Sequence, residues 1–134
     1  MRKFIIASHH RFASGLKDTV EFVTGFKPIY DLSAYIDDED IGNQINHIMS
    51  HISANDEVFI FTDMAGGSMT QKFWPYIAEH VHLICGMNLP LIMACALLDE
   101  TPLSAQEVAD LVSESREQII YLNQVEIEDG CDDE

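Results

Sequence analysis

Short uninterrupted apolar runs alternate along this chain with longer amphipathic ones, and the two patterns predict different elements. Residues 3 to 8 form an apolar run bounded by polar groups, too brief for a helix, as expected of a strand buried on both faces of a parallel sheet. Ser14 is placed to cap a helix carrying Leu16, Val20 and Val23 at three- to four-residue spacing, with Gly25 as its stop. Residues 28–34 offer a weaker strand. Over residues 38–53, Ile41, Ile45, Ile48, Met49 and Ile52 fall on one helical stripe. Residues 57–62 are dense in Val, Ile and Phe and give the strongest strand.

Ser68 then caps a third helix through Phe73, Ile77 and Ala78. Pro75 interrupts it, because an interior proline loses a hydrogen bond and clashes with the preceding turn at a cost of about 3 kcal/mol. The helix therefore either kinks there or begins later, with Pro75 in its first turn. Residues 82–86 read as a fourth strand, and Asn88-Leu89-Pro90 opens a helix through Met93 and Leu97. Ser104 and Glu107 form a capping box, followed by a long helix with Val108, Leu111, Val112, Ile119 and Leu122 as its buried stripe. A short strand is placed at residues 124–127.

Strands alternating with helices at this spacing predict an α/β domain with an open, mostly parallel, doubly wound sheet covered by helices on both faces. In such folds ligands bind beyond the carboxyl ends of the strands, where the strand order reverses. The 134 residues, 47% hydrophobic, suit one domain, taken as 1–125. Residues 126–134, six of them acidic, are expected to be a solvated tail.

The net charge of −16, from 23 acidic and 7 basic residues, argues against nucleic acid as a partner, since phosphate backbones bind clustered Lys and Arg. The three cysteines, Cys85, Cys95 and Cys131, form no C-x-x-C pair and no even set, which fits a reducing cytoplasm. No apolar run approaches the roughly 18 residues needed to cross a bilayer, and no signal-peptide pattern follows Met1. A soluble cytoplasmic protein is expected.

The chemistry gathers at two strand ends. The first strand runs into His9; the third runs into Asp63 and then Met64-Ala65-Gly66-Gly67-Ser68. If these strands lie side by side, an imidazole, a carboxylate and a glycine-rich turn meet at one sheet edge. A neutral imidazole is a competent nucleophile, and its phosphoryl adduct stays reactive enough to pass the group onward. Asp63 would hold one ring nitrogen and leave the other for phosphorus. Gly66 and Gly67 would admit backbone N–H groups to phosphate oxygens, with the Ser68 hydroxyl beside them. The plainer alternative, a loop histidine and an ordinary turn, stays open on these residues alone.

Four motifs in order carry a resemblance over nearly the whole chain: strand-Ala-Ser-His9; Ala13-Ser14-Gly15-Leu16-Lys17; Phe61-Thr62-Asp63-Met64-Ala65-Gly66-Gly67-Ser68; and Gly86-Met87-Asn88-Leu89-Pro90. Together they resemble the mannose-family enzyme IIA of the bacterial sugar phosphotransferase system. The resemblance implies that His9 accepts a phosphoryl group from the histidine phosphocarrier protein and passes it to an enzyme IIB partner, serving a membrane permease indirectly. It also implies that Asp63 orients the ring, that Gly67 and Ser68 receive phosphoryl oxygens, and that a homodimer exchanges a strand near the chain end. No cofactor and no metal is expected.

The chain departs from the family pattern at His10, where Gly is usual, at Met69, where Pro is common, and at Ala94-Cys95, where a carboxylate is often found. His10 is a competitor for the phosphoryl group, although the motif's frame puts His9 in the nucleophile position. A phosphocarrier subunit of dihydroxyacetone kinase would use the same histidine with a different acceptor. A receiver-like signalling module would be phosphorylated on Asp63, but needs acidic residues where Ser8-His9-His10 stand.

The remaining chemistry-bearing residues read as background. His47 and His51 share a helix at the spacing of a metal pair but lack a zincin's Glu and lie off the apolar stripe, so exposure is expected. His80 and His82 read as structural or exposed, Cys85 and Cys95 as core, and Phe73 and Trp74 as packing.

Overall fold

A computed structural model describes residues 1–36 and 40–126. Strands β1 (Arg2–His9), β2 (Ile29–Ala34), β3 (Glu57–Thr62) and β4 (Val81–Cys85) form one sheet in the order β2-β1-β3-β4, with every pair parallel. Helices α1 (Phe12–Thr24), α2 (Ile41–Met49), α3 (Ser68–Phe73), α4 (Leu89–Leu97) and α5 (Ala105–Arg116) complete the fold. The chain leaves β1 towards β2 on one side and later returns to β3 on the other. The order of strands thus reverses between β1 and β3, and His9 and Asp63 stand at that switch point.

Alternation along the strands divides the core in two. Phe4, Ile6, Phe59, Phe61 and Ile84 face α1, α4 and α5, where they meet Leu16, Val20, Leu91, Ile92 and Val108. Ile5, Ala7, Leu32, Val58 and Ile60 face α2 and α3, against Ile45, Ile48, Met69 and Phe73. Because both faces are covered, all six residues of β3 are buried, which is why its sequence shows no polar alternation. Phe4 stacks on Phe26 at 4.4 Å and meets Phe61 edge-on at 5.3 Å, tying the β1 strand into the first layer.

Several boundaries differ from the sequence expectation, each for a local physical reason. Helix α1 begins at Phe12, so Ser14 lies inside its first turn. Its orphan amides are satisfied from the sheet instead: Ala13 N–H donates to Ser8 Oγ at 2.6 Å and Ser14 N–H to Ser33 Oγ at 3.2 Å. Ser8 and Ser33 are register partners on β1 and β2, so two strand ends together cap one helix. Helix α2 opens at Ile41, capped by the Asp40 carboxylate; the expected start at residue 38 falls outside the described residues.

Helix α3 resolves the proline alternative by ending at Phe73, with Gly67 as its N-cap and Pro75 in a 3-10 turn, Trp74–Tyr76. Helix α5 has the full capping box but stops at Arg116. Ile119 and Leu122 are therefore exposed, at 77% and 72%, because a continuing stripe would need a surface this single chain does not offer them. The strand placed at 124–127 is not formed over its described part: Leu122–Gln124 is a 3-10 turn, and residue 127 with the rest of the acidic tail lies outside the described residues.

The amino ends of the strands carry a buried ion pair that the sequence did not announce. Arg2 and Glu57, register partners on β1 and β3, meet at 2.9 Å with side chains 1% and 8% exposed. Arg2 also donates to the carbonyls of Cys95, Leu98 and Thr101, while Glu57 accepts from Leu103 N–H at 2.7 Å. The pair clasps the α4–α5 connection to the sheet. Removing one member of a buried pair strands the other, so Arg2→Leu is expected to lower the unfolding free energy by about 3–5 kcal/mol in urea titration. An unshifted midpoint would show that the clasp contributes nothing.

Candidate functional site

The carboxyl ends of β1 and β3 bring the expected residues together. One oxygen of Asp63, Oδ2, accepts from the His9 backbone N–H at 2.7 Å and lies 2.8 Å from His9 Nδ1. The Asp63 side chain is 11% exposed, whereas the His9 side chain is 42% exposed. Burial alone would raise the Asp63 pKa, but the His9 amide, the His9 ring contact and its charge together hold it below the usual carboxylate value. An ionised carboxylate only accepts, so Nδ1 carries a proton, and in the neutral imidazole this tautomer leaves the lone pair on Nε2.

The turn after Asp63 closes against the same ring. A β-carbon on Gly67 would stand 3.2 Å from His9 Cε1 and 3.3 Å from the Met64 carbonyl oxygen, so a side chain here would press the ring and the turn apart by a few tenths of an ångström. Gly66 has open space about it and is in the same turn for no steric reason the structure reveals. The Gly67 N–H donates to Met64 O at 3.2 Å, so its amide is engaged in closing the turn.

Two threonines brace that turn. Thr70 Oγ1 donates to Met64 O at 2.8 Å, and Thr62 Oγ1, 2.7 Å away, donates its own hydrogen to Thr70. Both are buried.

Tyr35, unremarked in the sequence, reaches the site from the end of β2. Its ring stacks on His9 with centroids 5.5 Å apart and planes 27° off parallel, and its hydroxyl lies 2.6 Å from Ser68 Oγ. The available signal was an aromatic residue directly after a strand adjoining β1. His10 points to the same corner through its backbone: with φ 55 it occupies the left-handed region, where a side chain is disfavoured by roughly 1–2 kcal/mol. The family's usual Gly at that position suits this turn.

The background residues divide. His47 and His51 are exposed, with rings 4.9 Å apart and His51 Nδ1 on His47 O, and no metal-sized group of three ligands occurs among the described residues. His80 is exposed; His82 packs on Phe59 at 4.8 Å, where burial lowers its pKa. Cys95 is core, and burial pushes its thiol up to about 12. Cys85, expected in the core, is instead exposed at the end of edge strand β4. Phe73 is fully buried as expected, but Trp74 is 66% exposed, because the 3-10 turn at Pro75 rotates it away from the helix face.

A parallel doubly wound sheet with a carboxylate-held imidazole at its switch point defines an α/β protein with a polar corner at the carboxyl ends of its central strands. A family model described as the phosphotransferase system fructose IIA component matches residues 3–120. The chain belongs to this family, the mannose-type enzyme IIA components, which are phosphoryl relay proteins of sugar phosphotransferase systems.

Solved structures agree. A protein assigned as a phosphoenolpyruvate-dependent sugar phosphotransferase system permease from Klebsiella pneumoniae is 33% identical, with 92% of each chain covered and a TM-score of 0.79. The IIA protein associated with the fucose utilization operon of Streptococcus pneumoniae is 21% identical over 92% of this chain and 94% of its own, with a TM-score of 0.72. The mannose/sorbose specific IIA subunit from Enterococcus faecalis is 15% identical over 95% and 98%, also at a TM-score of 0.72. These last two share the fold.

The depressed Asp63 pKa has a stability consequence. Its contribution is complete above the ordinary value of 3.8 and is lost as pH falls through the lower folded value. The stability difference between the wild type and Asp63→Asn is therefore expected to shrink as pH falls below about 4. Chemical denaturation at stepped pH measures it. A gap that stays constant down to pH 2 would contradict the pairing.

Proposed function

We propose that His9 is the phosphoryl acceptor of this relay protein, with Nε2 as the nucleophile. The observation that carries this reading is the 2.8 Å contact of Nδ1 with Asp63, which in the neutral imidazole places the lone pair on the opposite nitrogen of a half-exposed ring. The donor is the phosphohistidine of the histidine phosphocarrier protein. Its P–N bond breaks as a P–N bond to Nε2 forms, and the electron pair of the broken bond returns to the donor ring. Asp63 stabilises the positive charge that the His9 ring acquires while Nδ1 keeps its proton. The reverse geometry passes the group to an enzyme IIB partner.

Ser68 and the turn at Gly66 and Gly67 receive the phosphoryl oxygens, Gly67 through the close approach its missing side chain permits. Phosphorylation on Asp63, as in a receiver, is disfavoured because its Oδ2 is engaged twice by His9 and its Oδ1 is buried away from solvent. None of the described helices is long and apolar enough to cross a membrane; the relay reading, resting on the family, puts its action in the cytoplasm beside a separate permease.

Exposed Ile119, Ile120, Tyr121 and Leu122, together with edge strand β4, support a homodimer, since an unpaired edge beside apolar side chains is a pairing surface. Sedimentation equilibrium is expected to give twice the chain mass, and a monomer at micromolar concentration would remove the dimer from the reading.

The phosphorylation site is tested directly. Incubation with phosphoenolpyruvate, enzyme I and the phosphocarrier protein is expected to yield an acid-labile, base-stable label, abolished in His9→Ala and retained in His10→Ala. Full labelling of His9→Ala would overturn the assignment, and an acid-stable, base-labile label would move it to Asp63.

A further inference from the structure

Strands β1 and β2 end level with each other: His9 is the register partner of Ala34, and His10 N–H donates to Ala34 O at 2.7 Å. The next residue on each strand, His10 at φ 55 and Tyr35 at φ 66, is in the left-handed region although neither is glycine. A bulky aromatic residue keeps such a backbone only where its surroundings over-determine it, and such strain gathers at functional sites. For Tyr35 the surroundings are the His9 ring on one side and the Ser68 hydroxyl on the other.

We propose that Tyr35 is a positioning residue of the phosphoryl relay, fixing the plane of the His9 ring by stacking and turning the Ser68 hydroxyl towards the phosphoryl group through a hydroxyl chain. This deepens the assignment of His9 and rests on it. A single contact from Asp63 at Nδ1 holds one corner of the imidazole and leaves the ring free to pivot about that corner. A stacked ring 5.5 Å away removes the pivot.

The hydroxyl pair supplies the second effect. Tyr35 Oη and Ser68 Oγ, 2.6 Å apart, carry one hydrogen each, and their mutual bond uses only one. The phenol is the stronger acid of the two, so Tyr35 donates and Ser68 accepts. The Ser68 hydrogen is then uncommitted within the pair and polarised by the bond it receives, ready to donate to an oxygen on the phosphorus at Nε2. No bond to either residue is made or broken during transfer.

The test is a double-mutant cycle on single-turnover phosphoryl transfer from the phosphorylated phosphocarrier protein. Tyr35→Phe keeps the stacked ring and removes the donor; it is expected to lower the maximal rate about three- to tenfold, with the half-saturating donor concentration and the thermal midpoint unchanged. In a Ser68→Ala background the same substitution is expected to have no further effect, because the chain it completes is already broken. Tyr35→Leu, which also removes the stack, is expected to be slower than Tyr35→Phe in both backgrounds.

A Tyr35→Phe rate equal to wild type overturns the proposal, as do losses that multiply independently of Ser68. In each variant the endpoint label is mapped to its residue. A label on His9 with Tyr35→Phe at wild-type speed defeats only the role of Tyr35, whereas a label that survives His9→Ala defeats the underlying assignment.

Discussion

The site depends on one constraint: β1 is flanked in parallel by β2 and β3, in fixed register on both sides. That pairing delivers three strand ends to one corner. His9 arrives from β1, Asp63 from β3 and Tyr35 from β2, although 26 and 28 positions separate them in the chain (35 − 9 and 63 − 35). A slip of one residue would turn every core side chain to the opposite face, so two buried layers pin the register far more firmly than any contact at the site. The chemistry is held by packing some distance below it.

The two ends of the sheet handle polar groups differently. At the amino end, Arg2 and Glu57 are engaged with each other and with backbone groups of the α4–α5 connection. At the carboxyl end the polar groups are engaged on one side only. Asp63 holds Nδ1 and not Nε2, and the Tyr35–Ser68 pair has a hydrogen beyond the one it shares. His10 and Tyr35 add left-handed backbone there, and the turn after Asp63 leaves little room for a side chain at Gly67. Left-handed backbone at two non-glycine residues thus gathers at one corner, where the apolar layers beneath can sustain it.

What the sequence made legible follows from how local each signal is. Strands β1 and β3 were readable because burial on both faces leaves an unbroken apolar run, and α5 because its capping box spans only four residues. His9 and Asp63 were legible as strand-end residues beside recognisable motifs. The first turn of α1 was misread because its caps, Ser8 and Ser33, come from the sheet and not from adjacent residues. Tyr35 carried no periodicity or motif, and its importance exists only once β2 lies beside β1. Ile119 and Leu122 kept helical spacing without a surface to bury them, which pattern alone cannot distinguish from a core stripe.

Charge completes the picture of a relay. The cations whose partners are seen, Arg2, Lys3 and Lys17, are committed to Glu57, Asp56 and Asp31, away from His9. Beside the His9 ring stand the Asp63 carboxylate at Nδ1, the stacked Tyr35 with its hydroxyl on Ser68, and the close backbone turn at Gly67. Neutral donors bind a phosphoryl group less strongly than a guanidinium fork does, since charge-assisted bonds are roughly twice as strong. A tight cationic cradle would deepen the phosphorylated state and slow its onward transfer. If His9 carries the group as proposed, the corner must hold it well enough to orient it and weakly enough to release it, and hydroxyls beside a carboxylate that meets the ring at Nδ1 suit both requirements.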